Sequence, residues 1–407
     1  MYHHHLVCAI GNNAMKHSYI VPPPPTKTKK APFRAFFCAC KKKVVSLQLI
    51  MAGIYIHIPF CKSRCKYCDF FSTTDLEKQS QYVEALLCEW KDRKNELHEP
   101  IRTLYIGGGT PSTLDIDSLQ LIVDSLQVNT VEEITLEVNP GDVTEEKAAA
   151  WRKMGINRLS MGIQTFDDAL LQLIGRRHTA QEAREAVAIA QAAGFDNISI
   201  DLIYALPSQT MEQWQNDVSI ALQLCVQHIS SYGLIYEEGT ALTTLLEHGV
   251  IEAVDEDTEM QMYDYLVEEL TANGFVHYEV SNFSLPGRQS QHNSSYWNNT
   301  PYLGLGAGAH SYDGNTRTWN VSDLDEYIQQ AINHRLQPEK EELTAEARHM
   351  ERVMLGLRTN QGVAVEDINM AKAEVHLQQG WLRQEGNRVI ATTQGWHILN
   401  RIIEDLT

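Results

Sequence analysis

The sequence predicts an α/β fold: a partial (β/α)6 barrel followed by a smaller C-terminal α+β module. Two observations lead there. From Met51 onward, short β-branched runs alternate with segments of helical apolar period, and that alternation builds a parallel sheet. Gly-rich and polar clusters fall at or just after the C-terminal ends of successive strand candidates, the face on which βα barrels carry their active sites. Six βα units also permit a doubly wound sheet, and the strand-end clusters favour the barrel. The chain of 407 residues is 43% hydrophobic and 21% charged, which excludes collagen-like, coiled-coil and largely disordered classes. No apolar run reaches 18 residues, so no transmembrane helix is expected.

Strands are expected at Gly53–Ile58, Thr103–Ile106, Glu133–Val138, Arg158–Met161, Ile198–Ile203 and His228–Leu234. Helices are expected between them at Lys78–Asn95, Ile116–Leu126, Thr144–Met154, Ala180–Ala193 and Met211–Leu224. Gly155 and Gly194 follow two of these helices, where a left-handed residue closes the last turn. After about residue 240 the alternation ends. A helix at Asp257–Thr271, a strand at Val276–Ser281 and a Gly-rich stretch at 304–308 are expected. The last segment, 343–407, reads as a helix at Thr344–Leu357, a strand at Arg388–Ala391 and a helix at Gly395–Asp405. The expected division is 1–50, 51–240, 241–342 and 343–407.

Residues 1–50 differ from the rest. They hold eight Lys or Arg and no acid, with four prolines at Pro22–Pro25, leaving 26 basic against 52 acidic residues in 51–407. The basic, acid-free composition resembles a transit peptide, but the proline block suits an amphipathic helix poorly. The simpler reading is a disordered or spurious extension with Met51 as the biological start. Cys38 and Cys40 in it are read as incidental. The acidic body argues against a nucleic-acid partner, which needs a basic face.

Eight cysteines do not make a disulfide scaffold in a chain this long. Three cluster as Cys61-x-x-x-Cys65-x-x-Cys68, directly after the first strand candidate. Three thiolates can hold three irons of a [4Fe–4S] cluster and leave the fourth open. Lys62, Arg64 and Lys66 lie among them and are expected to lower the thiol pKa values. The competing readings are zinc, with His57 as fourth ligand, or unrelated thiols. Cys88 and Cys225 are read as packed thiols.

The segment GIYIHIPFCKSRCKYCDFFS (53–72) resembles the radical S-adenosylmethionine superfamily. More narrowly, it is similar to the oxygen-independent coproporphyrinogen III oxidases and their relatives, the HemW-type haem chaperones. YIGGGTPS, LEVNP, RLSMGIQTF, DLIYALP, HNSSYW and YLGLGAGAHS support this, and the resemblance runs from Gly53 to the C-terminus. The oxidase branch places a fourth cysteine two residues after the third, where this chain has Phe70. Residues 1–50 do not resemble the oxidase's N-terminal segment, and HNSSYW (292–297) looks like the chaperone branch's H-N-x-x-Y-W. The resemblance therefore implies a haem chaperone carrying a [4Fe–4S] cluster and S-adenosyl-L-methionine. The rivals are a decarboxylating coproporphyrinogen oxidase and a radical enzyme acting on another substrate.

The resemblance further implies cluster ligation by Cys61, Cys65 and Cys68. It assigns Tyr55, Tyr67, Gly108, Gly109, Thr110, Glu137, Gln164, Arg176 and Asp201 to S-adenosylmethionine. Residue chemistry agrees in part: glycine permits close approach, and an arginine fork pairs with a carboxylate. Arg177 competes with Arg176, and packing or barrel-mouth salt bridges are the plainer reading of these side chains. His292 is the expected haem ligand, with His310 as an alternative and Tyr296 and Trp297 as flat apolar surface. The Gly304–Gly308 stretch lacks the strand–turn–helix setting of a dinucleotide loop, so no nicotinamide role is expected. Expected partners are haem, client haemoproteins, an electron donor for the cluster and a second copy of the chain, in the cytoplasm, with no nucleic acid and no stable membrane anchor.

Overall fold

The computed structural model describes residues 52–126 and 131–407; the readings made for 1–50 lie outside them. Six strands run parallel and in chain order: β1 (Ala52–Ile58), β2 (Ile101–Gly108), β3 (Glu133–Val138), β4 (Arg158–Gln164), β5 (Ile198–Tyr204) and β6 (His228–Gly233). Between them run α1 (Gln79–Arg93), α2 (Ile116–Leu126), α3 (Glu145–Lys153), α4 (Asp168–Leu173), α5 (Ala180–Ala192) and α6 (Met211–Gln223). The expected bounds of β3 and α2 coincide with those observed. Gly155 and Gly194 take φ of +94° and +89°, as their positions after α3 and α5 require. The short helix α4 was not expected. Asp167 starts it by accepting from the amides of Ala169 and Leu170, and six residues are too few to display a helical period.

Each strand has two chemically distinct faces. Ile54, Ile56, Leu104, Leu136, Leu159, Met161 and Ile200 pack against the helices in one apolar core that includes Leu86, Ile122, Trp151, Val187 and Trp214. The alternate residues, among them Tyr55, Tyr105, Glu137, Ser160 and Asp201, line the other face, which is polar. A polar face alternating with an apolar one follows from the two-residue side-chain period.

The sheet continues past both ends of this unit. After α7 (Ala241–Glu247) and α8 (Glu256–Ala272), the hairpin β7 (Val276–Glu279) and β8 (Asn282–Ser284) adds antiparallel to β6. The single strand expected at Val276–Ser281 is thus a tight hairpin. HNSSYW forms a helix, α9 (Gln291–Trp297). Strand β9 (Tyr302–Leu305) pairs parallel with β1, and β10 (His310–Tyr312), β11 (Thr316–Trp319) and β12 (Glu339–Glu342) extend that edge antiparallel, with α10 (Leu324–Ile332) between β11 and β12. Among the described residues the 12-stranded order ends on β12 and β7.

The C-terminal residues build α11 (Ala345–Gly356), then a three-stranded sheet of β13 (Val363–Ala364), β14 (Leu382–Glu385) and β15 (Arg388–Ala391), with α12 (Met370–Gln378), α13 (Thr393–His397) and α14 (Leu399–Leu406). They have their own apolar cluster, including Val353, Val363, Leu382, Val389 and Ile402. The single helix expected over Gly395–Asp405 breaks at Ile398, whose φ of −118° leaves the helical range.

Candidate cofactor site and its relatives

The cysteine loop leaves β1 and is pinned along its length. The Cys61 amide donates to Thr73 O at 2.8 Å, and the Thr73 amide to Pro59 O at 2.7 Å. Farther on, the Lys66 amide donates to Ile174 O at 2.9 Å and Lys66 O accepts from Leu242 at 2.8 Å. Lys62 is 2.7 Å from the buried Asp142, which also accepts from Ser112 and Arg177. Arg177 therefore belongs to this brace.

The charges around the thiols differ from expectation. Lys62 is committed to Asp142, and Arg64 points to Phe70 O at 3.5 Å. The cation beside the cluster loop is Arg176, which donates to Cys65 Sγ at 3.4 Å and to Gly162 O. Burial pushes the Cys61 thiol up and that of Cys68 to about 11. The expected depression of these thiols by neighbouring lysines is thus corrected: burial outweighs the cations, and a metal must displace the protons.

Among the described residues, no three His, Cys, Asp or Glu side chains converge as a single ion would need. His57 does not serve as a fourth ligand, because Nδ1 meets Tyr55 Oη and Nε2 meets Phe71 O, each at 3.0 Å. A cubane takes one thiolate per iron, so this donor set fits a cluster better than zinc.

The end of β2 lies against the loop. Gly109 donates to Ile58 O at 2.9 Å, and a Cβ there would stand 2.8 Å from Pro59 C and 3.0 Å from Cys61 Sγ. Gly108 takes φ of +115° and donates to Glu137 Oε2 at 3.0 Å. Thr110 Oγ1 is 3.4 Å from Cys61 Sγ. Tyr105 Oη donates to Glu137 Oε1 at 2.7 Å, and its ring stacks with Tyr55 at 6.2 Å. Gln164 is buried at φ of +76°, with Oε1 reaching no partner. Tyr67 is partly buried beside Leu170 and Ile174, within the field of Cys65 and Arg176. Asp201 accepts from Ser160 at 3.4 Å; burial and then the Glu137 charge push its carboxyl up to about 6.

The structure therefore gathers the three cysteines with Tyr55, Tyr67, Gly108, Gly109, Thr110, Glu137, Gln164 and Arg176 at the C-terminal ends of β1–β4, with Asp201 on the same inner face. Gln164 Oε1 and Arg176 Nε are buried without partners, and the glycine cradle has no room for side chains. Such a pocket fits an amino- and carboxylate-bearing cofactor.

His292 stands apart from this group. It is fully buried, with Nδ1 2.8 Å from Thr103 Oγ1 and Nε2 2.8 Å from Tyr296 Oη. Its ring stacks on Tyr105 at 5.1 Å, and burial lowers its pKa to about 3. Both ring nitrogens are engaged, and through them His292 locks α9 onto β2. His310 is partly buried and stacks on Trp319 at 5.8 Å. The sequence reading missed Asp142 and Tyr105 as organising residues. Their signals were an acid after Asn139-Pro140 and an aromatic two residues before the glycines.

A family model described as the radical SAM superfamily matches residues 55–220. A protein of Lactococcus lactis named heme chaperone HemW is 38% identical over 86% of this chain and 96% of its own length. Its namesake in Bacillus subtilis is 37% identical over 77% of this chain and 85% of its own. The coproporphyrinogen III oxidase (HemN) of Escherichia coli, a radical SAM enzyme, has the same fold: TM-score 0.75 over 89% of this chain and 91% of that one, at 21% identity. The chain belongs to the HemW family of the radical SAM superfamily.

Proposed function

We propose that this protein binds haem and delivers it to client haemoproteins, with Cys61, Cys65 and Cys68 holding a [4Fe–4S] cluster. The observation that carries this reading is identity of 37–38% to relatives named heme chaperone HemW, over most of the chain. Phe70 at the place of the oxidase's fourth cysteine favours it over decarboxylation. The cluster's open iron would bind S-adenosylmethionine and supply the electron for its reductive cleavage.

This chain's own residues do the holding. Gly108 and Gly109 leave space beside Cys61, Thr110 contacts its sulfur, and Glu137 and Gln164 offer acceptors. Arg176 offers a guanidinium to a carboxylate. Tyr55 and Tyr67 wall the pocket, and Asp201 closes it from below. The haem iron takes a ligand other than His292, and the chain acts in the cytoplasm without a membrane anchor. Among the described residues no helix is long and apolar enough to cross a membrane. The divisions at 240 and 342 are retained in this proposal.

The test is anaerobic reconstitution of the full chain, then titration with haem followed by absorption and transfer to an apo-haemoprotein. The wild type should hold about four irons per chain, the content of one [4Fe–4S] cluster, and one saturable haem. Cys65→Ala should lose the iron. Absence of saturable haem uptake by the cluster-loaded protein would overturn the chaperone reading.

A further inference from the structure

We propose that Arg158, at the base of the inner face, anchors a subsite for the carboxylate of a small organic guest lying beneath the S-adenosylmethionine residues. Arg158 opens β4 and is only 1% exposed. Its Nε and Nη1 reach no acceptor. Thr135, its register partner on β3, is fully buried with Oγ1 likewise unpartnered. The guanidinium acts electrostatically on Tyr105, Asp201, His228, Tyr278 and His292, so its charge sits inside the polar face rather than at the surface.

A buried guanidinium with two nitrogens lacking hydrogen-bond partners is costly, even with the Asp201 carboxylate in its field. The nearby acids are engaged elsewhere: Glu137 accepts from Tyr105 and Gly108, and Asp201 from Ser160. His228 and His292 stay neutral because burial lowers their pKa values. An entering carboxylate would find charged donors on Arg158 and a hydroxyl on Thr135, a charge-assisted pairing that suits an anion. Four residues of strand separate Arg158 from Gly162, where Arg176 donates, a rise of about 13 Å. A guest anchored at Arg158 can therefore be several carbons long and still present its far end to the cofactor pocket. The inference needs the inner face only, and haem carriage can fail without affecting it.

The experiment is a titration of the full chain with [13C]acetate at constant ionic strength, against chloride, read by NMR line broadening and by thermal melting. The wild type should bind acetate saturably and more tightly than chloride. Arg158→Met should weaken binding by about tenfold or more, and acetate should no longer raise its melting temperature. Arg158→Lys should fall between the two. Acetate binding by Arg158→Met equal to the wild type, no saturable binding by the wild type, or no preference over chloride would each overturn the proposal. If Arg158→Met does not fold, Thr135→Val carries the test: unchanged acetate binding there overturns the subsite as drawn.

Discussion

Gly109 shows how much one absent methyl group decides. A Cβ at that position would press on Pro59, Phe60 and the sulfur of Cys61 together, and the backbone of a pinned loop cannot yield. Gly109→Ala should therefore lower iron retention after anaerobic reconstitution by more than half, with little change in far-ultraviolet circular dichroism. Full iron content in that variant would show that the loop gives way. His292 makes the opposite case. Its two hydrogen bonds lie inside the fold, so His292→Gln should keep haem stoichiometry unchanged while lowering the melting temperature. Loss of haem with unchanged stability would restore it as a ligand. At this scale the cysteines and glycines were legible because their chemistry demands those residue types at that spacing. The hydrogen bonds of His292 were not, because a motif names a residue without saying what its nitrogens meet in the fold.

At the scale of elements, α9 is held by another element's side chain. Glu133, the first residue of β3, accepts from the amides of Gln291 and His292, each at 3.0 Å. This carboxylate satisfies donors that a seven-residue helix cannot satisfy itself. Glu133→Ala should cost about 2 kcal/mol and speed hydrogen exchange at both amides. For comparison, Thr179→Ala, which removes the capping box of α5, should cost about 1 kcal/mol without touching α9. Equal exchange at Gln291 and His292 in wild type and Glu133→Ala would show that the cap is not what holds the helix. The six parallel strands were readable because their apolar outer face forces β-branched residues into short runs. The short elements α4, α9 and β8–β12 escaped because three to seven residues carry too little period. Their ends are fixed by partners distant in sequence, such as Glu133 for α9.

At the scale of the whole molecule, buried titratable groups set a pH dependence. His178 and His277 have their pKa lowered to about 4 and His292 to about 3, each chiefly by burial, and His228 is also held well below its usual range. The unfolded chain takes up protons on these histidines below about 6.5 and the folded chain does not, so their stabilisation is present above that pH and lost as it falls. Asp201 and Asp217 oppose this. Burial raises both to about 6, so their contribution is full below about 3.8 and lost as pH rises through 6. Between about pH 7.5 and 5.5 the four histidines remove more stability than the two acids return, so the fold is less stable at the lower pH. Urea melts at the two pH values should show it, and equal stability at both would refute the burial argument. At this scale the sequence read well where the sheet repeats and poorly at its edges, since nothing local tells a chain that β9 will pair with β1. The central claim is that this site carries haem rather than making it. Its most direct test is anaerobic incubation of the cluster-loaded chain with S-adenosylmethionine, a reductant and coproporphyrinogen III, followed by separation of the porphyrins and 5′-deoxyadenosine. The account predicts that the tetrapyrrole is recovered unchanged, whether or not 5′-deoxyadenosine forms; appearance of the divinyl product, with release of carbon dioxide, would contradict it.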